Sequence, residues 1–256
     1  MFDKPPQAPE DFARLLKKAQ DGEPKSQFEV GLVYESGVGA RQDYTEAAHW
    51  YRKAADQGDP GGQNNLGGLY SRGLGVQQDD PEAMRLYLRA ASEGYSAAQN
   101  NVGFMLANGR GTPQNIKAAL SWYRRAAAKD YAPAQNNLGF MYANGIGVAA
   151  DTKRGLFWYQ KAAKRGYAPA EYNLGLLYLK QPAVQDLGEA VRWLLRAAEH
   201  GFANAQNQVG LLYEQGQGIK KNYKEAAKWY GLAAKQGLLE AQRNRDLLRS
   251  SLGSNP

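Results

Sequence analysis

Residues 132–166 read APAQNNLGFMYANGIGVAADTKRGLFWYQKAAKRG and contain two helical patterns joined by a Gly-x-Gly turn. Moved along the chain, this stretch nearly matches itself every 36 residues, as from Gly22 to Gly58. Self-similarity at such a period is typical of a solenoid of stacked supersecondary units. Each unit ends at a residue that tolerates the left-handed backbone conformation, which is glycine in all positions but one. These positions are Gly22, Gly58, Gly94, Asp130, Gly166, Gly201 and Gly237.

The period predicts an all-α fold, a solenoid of six two-helix repeats between terminal capping helices, with about fourteen helices in antiparallel pairs. The repeats are placed at 23–58, 59–94, 95–130, 131–166, 167–201 and 202–237. Capping helices are predicted at 9–21 and 238–250, and flexible ends at 1–8 and 251–256. Repeat five is one residue shorter, and residues 180–184 replace its Gly-x-Gly-Val, which predicts an altered turn between its helices.

A glycine stands in the middle of every first helix, although glycine there costs about 1 kcal/mol relative to alanine. Its return suggests a compensating gain, the close approach of a neighbouring helix. The second helices supply aromatic pairs such as Trp122-Tyr123, each followed by two alanines. At helical spacing, large and small residues of this kind favour an interdigitated core over a cofactor site. The glycines are Gly31, Gly67, Gly103, Gly139, Gly175 and Gly210.

Between the helices lie Gly-x-Gly turns followed by an acidic or amide residue. Each turn follows a helix rather than a strand and lacks the Lys-Ser/Thr of a phosphate-binding loop, so helix termination by left-handed glycine is favoured. The polar residues are N-cap types, and four have a glutamate three places on, as in a capping box. A structural role is therefore favoured over catalysis for Asp43, Asp79, Asn115, Asp151, Asp186 and Asn222.

Composition excludes several classes of function. The 256 residues include no cysteine, which excludes disulfides and thiolate chemistry. No apolar run approaches the ~18 residues of a membrane span, and the first residues lack the apolar core of a signal peptide. The net charge of +7 permits acidic partners without requiring them. The compartment stays open between cytoplasm and an exported location.

Candidate catalytic and metal-binding residues are few. The two histidines, His49 and His200, lie in different registers and share no i, i+4 face, which disfavours a zinc or redox-metal site. The carboxylates fall mainly in the N-cap column, and no nucleophile–base arrangement stands out. We therefore expect no catalytic residues, no cofactor, no metal and no small-molecule substrate, with a hydrolase-type enzyme as the remote alternative.

One basic residue recurs in the same register in the first capping helix and in the second helices of repeats one to five. Such a ladder could form an electropositive stripe for nucleic acid or anionic lipid. Cations near helix C-termini also favour the helix dipole, and the ladder shows no aromatic interleaving on its own face, so an outer solvated wall is favoured. Binding to nucleic acid or lipid is kept as the alternative function. The ladder consists of Lys17, Lys53, Arg89, Arg125, Lys161 and Arg196.

The combined pattern resembles the Sel-one-like repeat, a branch of the tetratricopeptide superfamily. Residues 134–166 carry its features together: Asn137-Leu138-Gly139, then Gly145-Ile146-Gly147, then Trp158-Tyr159. The resemblance implies a right-handed α/α superhelix that scaffolds proteins in signalling, membrane-associated quality control, or bacterial cell-envelope and host-interaction processes. Some relatives are immunity proteins against antibacterial effectors. Others are Cys-paired and have been credited with binding β-lactams, a branch that this cysteine-free chain does not fit.

We expect a non-enzymatic adaptor that binds a protein or peptide partner on its concave face, with the protein favoured as a monomer. First-helix positions two before, two after and five after the core residue should point away from the second helix. They combine side-chain amides, which can bond a peptide backbone, with apolar side chains that can bury its anchors. Packing between repeats is the alternative role. The predicted partner-binding residues are Asn64, Asn100, Phe104, Asn136, Phe140, Tyr172, Leu176, Asn207 and Leu211.

Overall fold

The computed structural model describes residues 9–253, and within that range the chain forms fourteen α-helices and no strand. The predicted all-α fold of six two-helix repeats is confirmed. A short 3-10 helix, Pro182–Val184, is the additional element. The α-helices are α1 (Pro9–Gln20), α2 (Pro24–Ser36), α3 (Tyr44–Asp56), α4 (Pro60–Arg72), α5 (Asp80–Ser92), α6 (Ser96–Asn108), α7 (Ile116–Ala128), α8 (Ala132–Asn144), α9 (Thr152–Ala163), α10 (Ala168–Lys180), α11 (Leu187–Glu199), α12 (Ala203–Gln215), α13 (Tyr223–Lys235) and α14 (Leu239–Gly253).

The chain divides into two compact units, Met1–Lys129 and Asp130–Pro256. In the first, the capping helix α1 precedes three repeats, α2–α3, α4–α5 and α6–α7; in the second, three repeats, α8–α9, α10–α11 and α12–α13, precede α14. Within each unit, every helix packs against the next in sequence. The ends predicted to be flexible lie outside the described residues, except that 251–253 belong to α14.

The second helices begin at side-chain caps, as the sequence predicts. The carboxylate of Asp43 accepts the backbone N–H groups of Thr45 and Glu46, and the other five N-cap residues accept that of the third helical residue. The return half of a capping box is replaced: the N–H of Asp43 donates to the carbonyl of Tyr34 in the first helix, at 2.9 Å. The same bond recurs at all six caps, so each cap also ties the two helices of a repeat together.

The repeat-ending positions adopt the left-handed conformation. Asp130, with φ of 60°, is the one non-glycine residue of positive φ among the described residues, which confirms its place in the glycine column. The second glycine of a turn is required for a further reason, the close approach of the preceding repeat. A Cβ at Gly75 would overlap the backbone of Tyr44 in that repeat. These glycines therefore serve both the turn and the contact between repeats.

The mid-helix glycines receive the aromatic rings of the second helices. A Cβ added at Gly31 would lie 2.5 Å from the ring of Tyr51, and one at Gly103 would lie 2.7 Å from Tyr123. The corresponding distance is 2.5–3.0 Å in the other repeats, although repeat five replaces the tyrosine with Leu194. The tyrosines are buried, so the predicted close approach is a ring-on-backbone contact inside each repeat. The pairs are Gly31–Tyr51, Gly67–Tyr87, Gly103–Tyr123, Gly139–Tyr159, Gly175–Leu194 and Gly210–Tyr230.

Repeat five has the altered turn that its sequence predicts. Helix α10 ends at Lys180, its C-cap residue Gln181 is extended rather than left-handed, and the 3-10 helix follows. The N–H of Asp186 nevertheless donates to the carbonyl of Tyr178 at 3.0 Å, as in the other repeats. The deletion thus reshapes the turn while the cap of α11 stays in register.

We predict opposite effects on stability for two glycine-to-alanine changes in repeat six. Gly210→Ala forces a methyl group against Tyr230 and should lower the free energy of unfolding by about 1–3 kcal/mol. Gly231→Ala lies in α13 with no atom within 4 Å of the new methyl group, so it should raise stability by up to about 1 kcal/mol. Urea unfolding midpoints measure both, and equal shifts of the two variants would contradict the contact.

Candidate functional site

The predicted binding columns lie on the first helices, and we call the surface they form in each unit the first-helix face. In the first unit this face comes from α2, α4 and α6. Phe104 is the most exposed aromatic residue there, with 45% of its surface accessible, while Asn64 and Asn100 are half-buried. Phe28, in the same column as the asparagines, is buried against Tyr51, with ring centroids 5.9 Å apart. The column thus changes from core to surface along this unit.

A chain of hydrogen bonds runs across the first-helix face of the first unit. The amide of Asn101 donates to Asn64 at 2.9 Å, Asn64 donates to Asn65 at 3.0 Å, and Asn65 donates to the Tyr51 hydroxyl at 3.1 Å. That hydroxyl donates to Glu35 at 2.6 Å. The asparagines therefore join adjacent repeats, the packing role that the sequence left as an alternative, and the side-chain oxygens of Asn64 and Asn65 each accept a bond within this chain.

Beside this chain of bonds lies a cleft of about 320 Å³, which we call the Gly68 cleft. It exists because Gly68 stands in a column that holds Leu32 in the preceding repeat and Phe104 in the following one. The cleft is therefore walled by side chains of neighbouring repeats and has no side chain at its centre. Its lining includes Glu35, Asn64, Gly68, Arg72, Tyr87 and Phe104.

The sequence did not lead us to predict two residues of this cleft. Arg72 lies one position beyond the columns considered, and it donates to the carbonyl of Gly68 and to Glu35, each at 3.0 Å. Tyr87 was assigned to the core, and its ring is indeed buried, but it also lines the cleft. Its hydroxyl makes no hydrogen bond within the described part of the chain. In repeat one, Glu35 accepts the hydrogen bond of the Tyr51 hydroxyl, but the corresponding position of repeat two is Ser71. This difference was the sequence signal that could have identified Tyr87.

In the second unit, Phe140 is 49% exposed, whereas most other predicted residues are partly packed. Tyr172 meets Phe202 edge to face at 5.3 Å, and Leu176 packs on the same cluster. Leu211 packs against the cluster that contains Leu248 of α14. These positions contribute to the core as well as to the face.

The amides of the second unit repeat the pairing of the first. Asn136 accepts from Asn173 at 2.9 Å, and buried Asn207 accepts from Asn244 of α14 at 3.0 Å. Because α14 covers it, Asn207 is not presented to a partner in the way the sequence predicted. The amide column is therefore chiefly a connection between repeats.

The basic ladder differs from the expectation that it has no aromatic neighbours. Lys53, Arg125, Lys161 and Arg196 each lie over the tryptophan three residues earlier, at 4.3–5.5 Å from the ring centroid. In repeat two, where Leu86 replaces the tryptophan, Arg89 instead donates to the carbonyl of Ala55 at 3.3 Å. The sequence reasoning overlooked the i, i+3 pairing on a helix. These contacts cover the indole faces with the chain's own cations and favour the outer-wall role.

A buried acid interrupts a column of buried glutamines. In five repeats a glutamine stands three residues before the core position, and four of them donate to a carbonyl of the preceding second helix at 3.1–3.4 Å. In repeat five the residue is Glu171, which is 0% exposed. Its two oxygens lie 2.7 Å from Arg196 Nε and 2.7 Å from His200 Nδ1. Arg196 provides the positive partner that a buried carboxylate requires, and His200 Nδ1 adds a polar contact within hydrogen-bond distance.

Neither a metal site nor a membrane span emerges from the described residues. Across residues 9–253, no three histidine or acidic side chains come together as they would around a metal ion. None of the helices in that range combines the length and the apolar character needed to cross a bilayer.

Comparison with known families gives a match over most of the chain. The Sel1 repeat profile matches residues 24–59, 60–95, 96–131, 132–167, 168–202 and 203–238, each one residue beyond the predicted repeat boundaries. No curated protein matches the chain. The predicted resemblance to this repeat is thereby confirmed.

Solved structures give the same result. A Sel1 repeat protein from Oxalobacter formigenes shares 31% identity and a TM-score of 0.79, over 88% of this chain and 90% of that one. The protein c5321, a protective antigen of uropathogenic Escherichia coli with an SLR fold, shares 32% identity and a TM-score of 0.69. That match covers 96% of this chain but 53% of c5321, so this chain spans about half of its length. Immunity protein Pa5087 of Pseudomonas aeruginosa, at 21% identity and a TM-score of 0.62 over 85% of this chain and 82% of that one, shows the fold alone.

The buried carboxylate of Glu171 should destabilise the fold unless Arg196 is present to pair with it. Arg196→Ala leaves the buried carboxylate with His200 alone and should cost about 3 kcal/mol of unfolding free energy. Glu171→Gln restores the amide of the other repeats and should change stability by less than about 1 kcal/mol. In the Glu171→Gln background the Arg196→Ala change should cost much less, and a double-mutant cycle by urea unfolding measures this coupling. Additive effects would contradict the pairing.

Buried tyrosines should make the fold sensitive to alkali. Burial raises the pKa of Tyr87 and of Tyr123 to about 12, above the ordinary value near 10. Their contribution to stability is therefore complete below pH ~10 and is lost as the pH rises through about 12, because ionisation is easier in the unfolded chain. Urea midpoints between pH 8 and pH 11.5 should fall less steeply in a Tyr87→Phe, Tyr123→Phe double variant than in the native chain. Parallel slopes would contradict the prediction.

Proposed function

The chain belongs to the Sel1 repeat family, and from that premise we propose that it is an adaptor which binds a protein or peptide partner on its first-helix face. Sel1 repeat proteins generally act as non-enzymatic scaffolds for protein–protein interaction. The observation that carries the choice of surface is the exposure of Phe104, an aromatic side chain at 45%, at the rim of a cleft lined by side-chain amides.

An exposed aromatic ring beside a cleft has the composition of an interaction hot spot. Aromatic anchors dominate binding energy when they become buried, and polar neighbours fix the register of the partner. Phe140 provides a comparable anchor in the second unit. Tyr172, Leu176 and Leu211, which are half-buried, would add contact area rather than principal anchors.

For the biological setting we propose a bacterial cell-envelope, host-interaction or effector-immunity role. Two relatives above 30% identity are bacterial, and the one from E. coli is described as a protective antigen. An immunity role would require that the captured partner be an antibacterial effector whose activity the chain blocks. An envelope or host-interaction role would instead give a surface or host protein as partner.

The test is affinity capture from the native organism, followed by measurement of the purified partner's Kd. Phe104→Ala should weaken binding by about 30-fold, which corresponds to the ~2 kcal/mol loss of a hot-spot residue. Phe140→Ala tests the anchor of the second unit in the same way. A partner retained with unchanged affinity by both variants would contradict the proposed surface.

Phe157 provides the matched control. It is an equally exposed phenylalanine, at 50%, but it lies on second helix α9, where Lys161 stacks over it at 5.3 Å. Phe157→Ala removes the same apolar area from the other class of helix and should leave the Kd within twofold. A loss at Phe157 equal to that at Phe104 would place the interface on the second helices instead.

A further inference from the structure

The Tyr87 hydroxyl is a fixed donor that has no acceptor among residues 9–253. Its ring is held against Gly67, where an added Cβ would lie 3.0 Å from the ring, and only 5% of the residue is exposed. The corresponding hydroxyls of repeats one and six donate to Glu35 and Glu214. Ser71 replaces that glutamate in repeat two, and the hydroxyl of Tyr87 makes no hydrogen bond to the described residues.

The room in front of this hydroxyl is specific to repeat two. A Cβ on Gly68 would stand 3.7 Å from the Tyr87 oxygen and 3.6 Å from Arg72 Nη2, so any larger side chain would extend into the cleft. Leucine or phenylalanine occupies this column in every other repeat. Glycine at position 68 therefore leaves open the approach to the hydroxyl of a buried ring.

The charges around the cleft are balanced, which decides the chemistry of its ligand. Arg72 pairs with Glu35 at 3.0 Å, and Arg110 pairs with Asp80 at 2.6 Å. An anionic ligand would meet Glu35 beside Arg72 and would find no excess of positive charge. Burial also raises the pKa of Tyr87 to about 12, so the phenol is neutral and donates at physiological pH. A neutral acceptor is the complementary group.

The neighbouring amides also favour an acceptor. The amide nitrogens of Asn64, Asn65 and Asn101 each make one described bond and have a second N–H. Further donors therefore lie along this wall beside the Tyr87 hydroxyl. Phe104, at the rim, offers apolar area next to them.

We infer that the Gly68 cleft binds an extended segment of a partner protein, with a backbone carbonyl accepting from the Tyr87 hydroxyl and an apolar side chain against Phe104. This inference rests on the proposed adaptor function and assigns its recognition to repeat two. A carbonyl next to an apolar side chain matches a neutral donor next to an aromatic ring, and the cleft volume of about 320 Å³ is in the range of small-ligand sites.

The probe is a phage-displayed library of random 12-residue peptides, selected on the full chain, with enriched peptides synthesised and measured by calorimetry. Gly68→Leu fills the cleft with a side chain that this column accepts elsewhere and should weaken binding at least 30-fold. The same change replaces a helical glycine and should leave the urea midpoint equal or higher. Loss of binding without loss of stability separates the site from a structural effect.

Tyr87→Phe removes one oxygen and keeps the ring on Gly67, and it should weaken binding by about 5- to 10-fold, as expected for one hydrogen bond. Tyr159→Phe is the matched control, because Tyr159 is a similarly buried tyrosine of the second unit with no described hydrogen bond, and it should leave the Kd within twofold.

Three outcomes would overturn the inference: no enriched peptide, unchanged binding by Gly68→Leu, or equal losses in the Tyr87 and Tyr159 variants. If a natural partner is lost with Phe104→Ala but bound normally by Gly68→Leu, the adaptor function stands and the assignment to this cleft fails. If Phe104→Ala and Phe140→Ala leave the natural partner unaffected, the first-helix face itself is wrong.

Discussion

Every repeat depends on a large second-helix side chain, usually the ring of a tyrosine, lying over a glycine in the middle of the first helix. The glycine costs about 1 kcal/mol of helix propensity, and any Cβ in its place would overlap the ring. Because the ring fills the space that a side chain would occupy, the two helices approach closely enough for the N-cap of the second to bond a carbonyl of the first. The turn, the cap and the core thus follow from one contact, and repeat five, with leucine in place of tyrosine, retains the geometry through Leu194.

The same contact governs what the first-helix face can present. The ring of a second-helix tyrosine crosses the glycine of the first helix, so its hydroxyl reaches side chains of that first helix. The bonds of Tyr51 to Glu35 and of Tyr230 to Glu214 show this. Whether that hydroxyl is used internally depends on the residue five places after the core position. Glutamate occupies it in repeats one and six, whereas Ser71 in repeat two leaves Tyr87 with no acceptor in the described part of the chain. A core residue thereby acquires a surface role through a single change on another helix.

The sequence predicted the fold closely, because each element carries a local cause that recurs at one period. Asp130 could be placed among the glycines since few residues tolerate positive φ, and the six N-caps could be placed by residue type. The site was less predictable, because its contacts join residues of different repeats. The bond from Asn101 to Asn64 spans 37 positions, and no local pattern states that it forms. The stacking of Arg125 on Trp122 was within reach of helical periodicity and was overlooked.

Regularity itself limits what the repeated columns can recognise. The buried glutamines bond the preceding helix, the asparagine oxygens accept from the next repeat, and the tyrosine rings fill the space over the glycines. The side chains that recur in every repeat are therefore largely engaged in holding the fold together. Chemistry left for a partner therefore concentrates where a column changes. Gly68 stands between Leu32 and Phe104, and it opens a space that neither neighbour offers. In a solenoid built from one recurring contact, recognition depends on the residues that differ between repeats. The residues that recur in every repeat form the rigid frame around them.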